Sequence, residues 1–310
     1  MTCYEVFGGV LKSDIEFPEL PASECDRPDW TLRRREALVP LSDAVVLGVE
    51  ELVGGVAARL ERGRDRFRLR FDDTGSFDIA RDGERIDWSP LPGASPAVVR
   101  ADVLGRVLSV ALHAAGDLCL HASAAAIAGR AIALVGPRGH GKSTLTMALV
   151  ANGAHLVADD TVRLSGAPPR TAVAVPSVRL REDAAARFGV HSDAEIGDKV
   201  IVRDAPVAPE QWLPLDAIYV LAPRTSDIAQ ALICRKRLGS LEATMALVSH
   251  GKIATLLGGV EAASVLPRAS AVANAVPVFA LEVARDLERI DEAARILAGW
   301  HSGGAADGSP

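Results

Sequence analysis

The sequence predicts an α/β fold joined to a small β-rich amino-terminal domain, on three observations. Ala131–Val135 is an unbroken apolar run that leads through a glycine-rich turn into a helical pattern ending at Asn152-Gly153. Leu215–Leu221 (LDAIYVL) is a second, nearly continuous apolar run, as expected of a central strand buried on both faces. Before residue 96 the pattern changes: Phe67-Arg68-Leu69-Arg70-Phe71 alternates with period two, and Asp72-Asp73-Thr74-Gly75 and Asp82-Gly83 are tight-turn sequences. The expected domains are residues 1–96, β-rich; 97–300, α/β; and a Gly/Ala/Ser tail over 301–310, expected to be disordered.

Each element follows from its local pattern. In the first domain Tyr4–Leu11 alternates weakly, Val45–Val49 is a short apolar run, and Val53–Gly63 reads as a helix. Strands are expected over Phe67–Phe71, Ser76–Ala80 and Arg85–Trp88, and Pro90–Pro96 reads as a linker. Ala97–Ala115 is helical, with Val99, Val103, Val107, Val110 and Ala111 on one stripe. A hairpin over Ala124–Val135 turns at Gly129-Arg130, and a strand at Leu156–Ala158 ends in Asp159-Asp160. Strands at Thr161–Leu164, Val173–Leu180 and Lys199–Val202 surround a helix at Glu182–Phe188. Helices are expected at Gly239–Ser249, Lys252–Leu257 and Arg268–Asn274, then a strand at Val276–Val283 and a helix at Leu287–Trp300. Trp30, Trp88 and Trp212 are read as core residues.

Composition removes several classes of function. Of 310 residues, 49% are hydrophobic, which is enough for a sizeable core, and a formal net charge of −6 disfavours a general nucleic-acid surface. Arg33-Arg34-Arg35 and the arginines between Arg62 and Arg70 read as solvated faces. Cys3, Cys25, Cys119 and Cys234 are scattered without C-x-x-C or paired metal spacing, so unpaired thiols in a reducing cytosol are expected. Glu5, Lys12 and Asp14 stand where a signal peptide needs its apolar core, and the best apolar run, Leu118–Val135, is broken by His121 and Arg130. The expectation is a cytoplasmic protein without a membrane span.

The chemistry is concentrated between Ala131 and Asp160. Gly136-Pro137-Arg138-Gly139-His140-Gly141-Lys142-Ser143 satisfies G-x-x-x-x-G-K-[ST] in the strand–turn–helix context that a phosphate cradle requires. The glycines allow a backbone path along which N–H groups converge on phosphate oxygens at a helix amino terminus. Lys142 adds a point charge for the outer phosphates, and the Ser143 hydroxyl suits Mg²⁺, a hard ion. Asp159 and Asp160, at the end of an apolar strand, can divide metal binding and proton acceptance between them. His121, just before the hairpin that feeds the cradle, can orient such a carboxylate. Arg179, Arg181 and Lys199 are candidate cations for charge developing on a phosphoryl group.

These segments resemble a known family. Leu120-His121-Ala122-Ser123, then VGPRGHGKST, then HLVADD resembles the catalytic core of HPr kinase/phosphorylase in order and spacing over residues 117–165. The terminal segments YEVFGGVLKSDIEFPELP and PVFALEVARDLERIDEAARIL resemble a divergent branch that accompanies lasso-peptide biosynthesis, whose members phosphorylate a serine at the carboxy terminus of the precursor peptide. The resemblance implies a P-loop kinase core of the HPr kinase/phosphoenolpyruvate-carboxykinase-like type, using ATP and Mg²⁺ on a peptide or small-protein serine. It also implies homo-oligomers, since related kinases form rings.

By the same resemblance, Gly136 to Ser143 would hold the nucleotide phosphates and Ser143 with Asp160 the metal, while Thr144, Arg179 and Lys199 are further candidate nucleotide contacts. Asp159 would be the preferred general base, oriented by His121, although the sequence leaves open which aspartate takes which role. Thr144 replaces the glutamate usual after the P-loop serine, and the glycine-rich, glutamate-containing signature is absent near Val178-Arg179-Leu180-Arg181. The implied activity is therefore the kinase direction rather than the phosphorylase one. Two other functions fit the same residues: a small-molecule kinase, and a nucleotide-binding regulatory module with little turnover.

Overall fold

The computed structural model describes residues 1–52, 54–190, 195–196, 199–222, 231–284 and 286–302. Among the described residues the chain is mixed α/β with three sheets, and it divides into two compact units: Met1–Leu120 with Gly251–Ala269, and His121–His250 with Ser270 onward. The helical stretch that the sequence assigned to the start of the second domain groups with the first unit.

The first unit is built on a nine-stranded sheet: β1 (Thr2–Val6), β2 (Gly9–Ser13), β3 (Ala22–Ser23), β4 (Trp30–Arg34), β5 (Val45–Glu51), β6 (Ala57–Arg62), β7 (Arg66–Phe71), β8 (Gly75–Ala80) and β9 (Arg85–Pro90). Its order is β3-β1-β2-β4-β9-β8-β7-β6-β5, antiparallel except where β4 pairs with β2 and β9. Leu60, Leu69, Phe77, Ile79 and Ile86 are fully buried, and Phe77 stacks on Trp88. Helices α1 (Pro96–Asp102) and α2 (Leu108–Ala114) are joined by a π-helical turn over Val103–Val107, and strand β10 (Leu118–Leu120) follows.

Several expectations change here. Residues 57–62 form strand β6 and not a helix, because Ala58 and Leu60 point inward with period two and both edges of the strand are paired. Val53 lies outside the described residues. Cys3 and Cys25 form a disulfide: β1 pairs with β3 and brings Cys3 opposite Ser23, which puts Cys25 within reach across a 22-residue separation. Cys119 and Cys234 are free thiols. Between Arg62 and Arg70, Arg64 and Arg70 are exposed as expected, but Arg68 is not. Arg68 is 4% exposed and donates to Asp78 across the strand pair at 2.5 and 2.7 Å, while Arg66 shares Asp78 and Arg70 pairs with Glu61. Arg33, Arg34 and Arg35 are exposed, as expected.

The second unit contains β11 (Ala122–Ile127), β12 (Arg130–Val135), α3 (Lys142–Ala151), β13 (His155–Ala158), β14 (Val162–Ser165), β15 (Arg170–Ala172), β16 (Val178–Arg181) and α4 (Glu182–Arg187). It continues with β17 (Glu195–Ile196), β18 (Lys199–Val202), β19 (Trp212–Leu221), β20 (Ile233–Arg237), α5 (Ser240–Ser249), α6 (Gly259–Ala275, begun in the first unit), β21 (Val278–Val283) and α7 (Ile290–Gly299). The main sheet runs β14-β15-β19-β12-β11-β13, with β21 and then β20 added beyond β19. As its apolar run predicts, β19 is central: β12 lies parallel on one edge, and β15 and β21 share the other. A small antiparallel sheet, β16-β18-β17, stands apart.

Helix α3 is buried on two sides. Leu145, Ala148 and Leu149 join the core formed by the main sheet and α7, whereas Met147 and Val150 pack with Leu156, Val178 and Leu180 beside the small sheet. The strand expected over Val173–Leu180 is broken between β15 and β16, where Pro176 lacks the N–H that a ladder needs. Strand β20 escapes a hydropathy reading because its ICRKR sequence is charged, yet Arg235 and Arg237 lie over the Phe279 ring of β21. Helix α6 begins well before the expected Arg268 and contains Pro267. Trp30 and Trp88 are buried, and Trp212 is half-buried with Arg163 over its ring. His301 does not belong to a loose tail: it bonds Asp216 at 2.6 Å and the Tyr219 hydroxyl at 2.7 Å. Residues 303–310 lie outside the described residues. Among the described residues no helix is long and apolar enough to cross a membrane.

One buried carboxylate gives the first unit a pH dependence. Asp102 is 7% exposed and accepts a 2.6 Å hydrogen bond from Thr74. Burial pushes its pKa up to about 6, although the Thr74 bond opposes the shift. The folded state therefore keeps a proton that the unfolded chain releases near its ordinary carboxylate value. Stability from this group is complete below pH 4 and is lost as the pH rises to about 6, by on the order of 2–3 kcal/mol. Asp102→Asn, which keeps an acceptor for Thr74, should flatten that decline. Urea midpoints at pH 4, 5, 6 and 7 check it, and identical pH profiles for the two proteins would contradict the assignment.

Candidate active site

Sheet order builds the site. Because β11 is antiparallel to both neighbours, its first residues lie between the last residues of β12 and β13: Ala122 faces Val135, and Ala124 faces Ala158. The lead-in residue His121, the turn after Val135 and the acidic pair after Ala158 are thus gathered at one sheet end, the carboxyl end of β12, β13 and β19. Ligands of α/β sheets bind at that end.

The turn after β12 has the backbone that its sequence predicts. Gly136 has φ +150°, and a Cβ there would stand 3.1 Å from Leu221 at the end of β19. Gly141 takes the left-handed conformation, φ +83°, immediately before α3, so the helix opens at Lys142. Lys142 is 8% exposed and donates from Nζ to the carbonyl oxygens of Gly136 (2.7 Å) and Pro137 (3.2 Å). Pro137, Arg138 and Gly139 form the exposed crown of the turn, and His140 Nδ1 is 3.4 Å from the Arg138 carbonyl oxygen. Ser143 and Thr144 are half-buried in the first turn of α3.

The two aspartates have different surroundings. Asp159 is 9% exposed; its Oδ1 accepts from the hydroxyls of Ser123 and, at 2.8 Å, Ser143, and its Oδ2 accepts from the Arg179 backbone N–H at 2.9 Å. Asp160 is more open, with 26% of its side chain exposed, and faces His121 Nδ1 at 3.3 Å and the Arg179 guanidinium at 3.5 Å. Its φ of +71° is a left-handed value that few non-glycine residues adopt. Strain of that kind persists where the surroundings dictate it and collects at functional sites.

The sequence-predicted residues His121, Lys142, Ser143, Asp159, Asp160 and Arg179 therefore converge. The carboxylate touching Ser143 is Asp159, where the sequence reading paired Ser143 with Asp160. Lys199 does not join them: it stands opposite Arg181, two positions along β16 from Arg179, and among the described residues no hydrogen bond or ion pair links it to the turn or to the acidic pair. Two residues were missed. Ser123 had a signal, since it is two residues from His121, the spacing that puts side chains on one face of a strand. His250 had none. It follows α5, its carbonyl accepts from the His121 N–H at 2.8 Å, and burial lowers its pKa, with the charges of Lys142, His121 and His140 adding to the effect.

No protein-family model matches this chain, and no curated protein matches it. Among solved structures, the Hpr(Ser) kinase/phosphatase from Coxiella burnetii is similar over 60% of this chain and 99% of its own, at 16% sequence identity and a TM-score of 0.32. A likeness at that level carries no argument for fold or function, which rest on the residues themselves.

The contacts separate two kinds of substitution. Asp159→Ala leaves the Ser123 hydroxyl and the Arg179 amide without their acceptor in a buried place, at a cost of about 2–4 kcal/mol. Asp160→Asn removes a partly exposed charge while keeping a side chain that tolerates the left-handed backbone, and should change stability by less than about 1 kcal/mol. Chemical denaturation of the two variants checks this, and equal losses would show that the burial difference has no energetic meaning.

Proposed function

We propose that this chain is an ATP-dependent kinase that transfers the γ-phosphate to a serine hydroxyl of a peptide or small protein. The first acceptor to try is the carboxy-terminal serine of a lasso precursor, the class that the family resemblance implies. The observation that carries the reading is the 2.8 Å contact from Ser143 to Asp159, which ties the phosphate turn to the acidic pair. A chance glycine-rich turn would have no reason to share a buried carboxylate with the strand beyond it.

The residues present fit a triphosphate and a hard cation. Left-handed Gly141, the start of α3 and the Lys142 ammonium form a cationic, donor-rich cradle. Ser143 Oγ and the Asp159 carboxylate are oxygen donors of the kind Mg²⁺ takes, and Mg²⁺, when bound, supplies neutralisation of phosphate charge. Lys142 stabilises negative charge on the outer phosphates. Asp159, already accepting three hydrogen bonds, keeps Ser143 in place. Asp160, more open and beside His121, accepts the proton of the attacking serine. His121 orients the Asp160 carboxylate, and Arg179 offsets its charge. This division gives the base role to Asp160, where the family resemblance prefers Asp159. Positioning and electrostatics then supply most of the rate enhancement.

Incubation with Mg·ATP and a precursor peptide ending in serine should add one phosphate to the peptide, read by intact mass. Lys142→Ala should lose nucleotide binding and transfer together. Asp160→Asn should keep nucleotide binding and lose transfer by at least about a hundredfold. Normal turnover in Asp160→Asn would falsify the base assignment. Nucleotide bound with no peptide, protein or metabolite phosphorylated would favour a regulatory module instead.

A further inference from the structure

His250 lies outside every motif, yet tertiary structure brings it to the phosphate turn. Its main chain is pinned on both sides: the N–H bonds the Ala246 carbonyl at 3.1 Å at the end of α5, and the carbonyl accepts from His121 at 2.8 Å. The half-buried imidazole lies within electrostatic reach of Lys142, His121 and His140. Those three neighbours come from different places: the start of α3, the end of the turn before it, and the residue before β11. Lys142 and His140 belong to the phosphate turn, and His121, whose N–H bonds the His250 carbonyl, stands 3.3 Å from Asp160 on the acceptor side.

The ring is equipped for a ligand. Among the described residues no hydrogen bond or ion pair takes up either ring nitrogen. Burial first, and then the Lys142 ammonium, favour its neutral form, which offers one N–H donor and one acceptor nitrogen. A neutral donor beside Lys142 can bind a phosphate oxygen without a further cation having to be kept close to the first.

We propose that His250 is a phosphate-contact residue that donates from its imidazole to the terminal phosphate of bound ATP, so that the site prefers a triphosphate to a diphosphate. The proposal rests on the cradle's being a nucleotide site. A contact to the inner phosphates would serve both nucleotides equally, whereas a residue bonded to His121 on the acceptor side and within electrostatic reach of Lys142 suits the terminal one.

The test is calorimetric titration of the full chain with the β,γ-imido analogue of ATP and with ADP, both with Mg²⁺. The wild type is compared with His250→Phe, which keeps a ring but no donor, and His250→Gln, which keeps a donor. His250→Phe should bind the triphosphate analogue about tenfold more weakly and change ADP affinity less than about twofold, while His250→Gln should retain most of the preference. Thermal unfolding of each variant reports on structural damage. Unchanged triphosphate-to-diphosphate ratios, or a parallel loss for both nucleotides with a lowered unfolding midpoint, would overturn the phosphate contact and leave the cradle intact. If the wild type binds neither nucleotide, the cradle reading and the proposal fail together.

Discussion

Asp159 accepts hydrogen bonds from Ser123, Ser143 and the Arg179 amide at once, and the three donors come from strand β11, the first turn of α3 and strand β16. A buried carboxylate is tolerable only when its oxygens are satisfied, and bonds to a charged acceptor are each worth about 1.5–3 kcal/mol. Two conditions follow. The small sheet carrying β16 must dock beside β13 so that the Arg179 N–H reaches Oδ2, and α3 must open where Ser143 meets Oδ1. The second condition explains Gly141: only a left-handed residue there lets the helix begin at Lys142.

Helix α3 transmits this constraint to the core. Its Leu145 and Leu149 pack with the main sheet and α7, and its Met147 and Val150 pack with the small sheet. The helix is therefore held between two cores with little freedom to rotate. A helix fixed in this way presents its amino terminus and Lys142 at a set position. The site side chains Ser123, Asp159, Asp160, Arg179 and His121 all stand on or next to strands of the same unit, which gives the same rigidity to the acidic side.

Legibility in the sequence followed the range of the interactions. The turn from Gly136 to Ser143, β12, α3 and the acidic pair were readable because their signals are local: glycine at positions of positive φ, apolar runs, and carboxylates at a strand end. Strand β19 was readable because burial on both faces leaves a continuous apolar run. Residues 57–62 were misread as helix because Ala58 and Leu60 also suit a helical stripe, and only pairing with β5 and β7 decides between the two. Cys3–Cys25 and Arg68–Asp78 depend on strand neighbours that composition does not reveal. His250 comes to the site from 108 positions beyond Lys142, through the hydrogen bond between its carbonyl and His121, for which no local pattern exists.

That the turn from Gly136 to Ser143 and the acidic pair form one nucleotide site is the claim on which the rest depends. Amide hydrogen exchange, followed by mass spectrometry of the full chain with and without Mg·ATP, tests it most directly. The expected result is slowed exchange confined to peptides covering residues 136–145, 157–161 and the start of β11, since ligand oxygens would take up the amides of the turn and steady the Ser143–Asp159 contact. Unchanged exchange in the turn at saturating Mg·ATP, or protection confined to other segments, would contradict it.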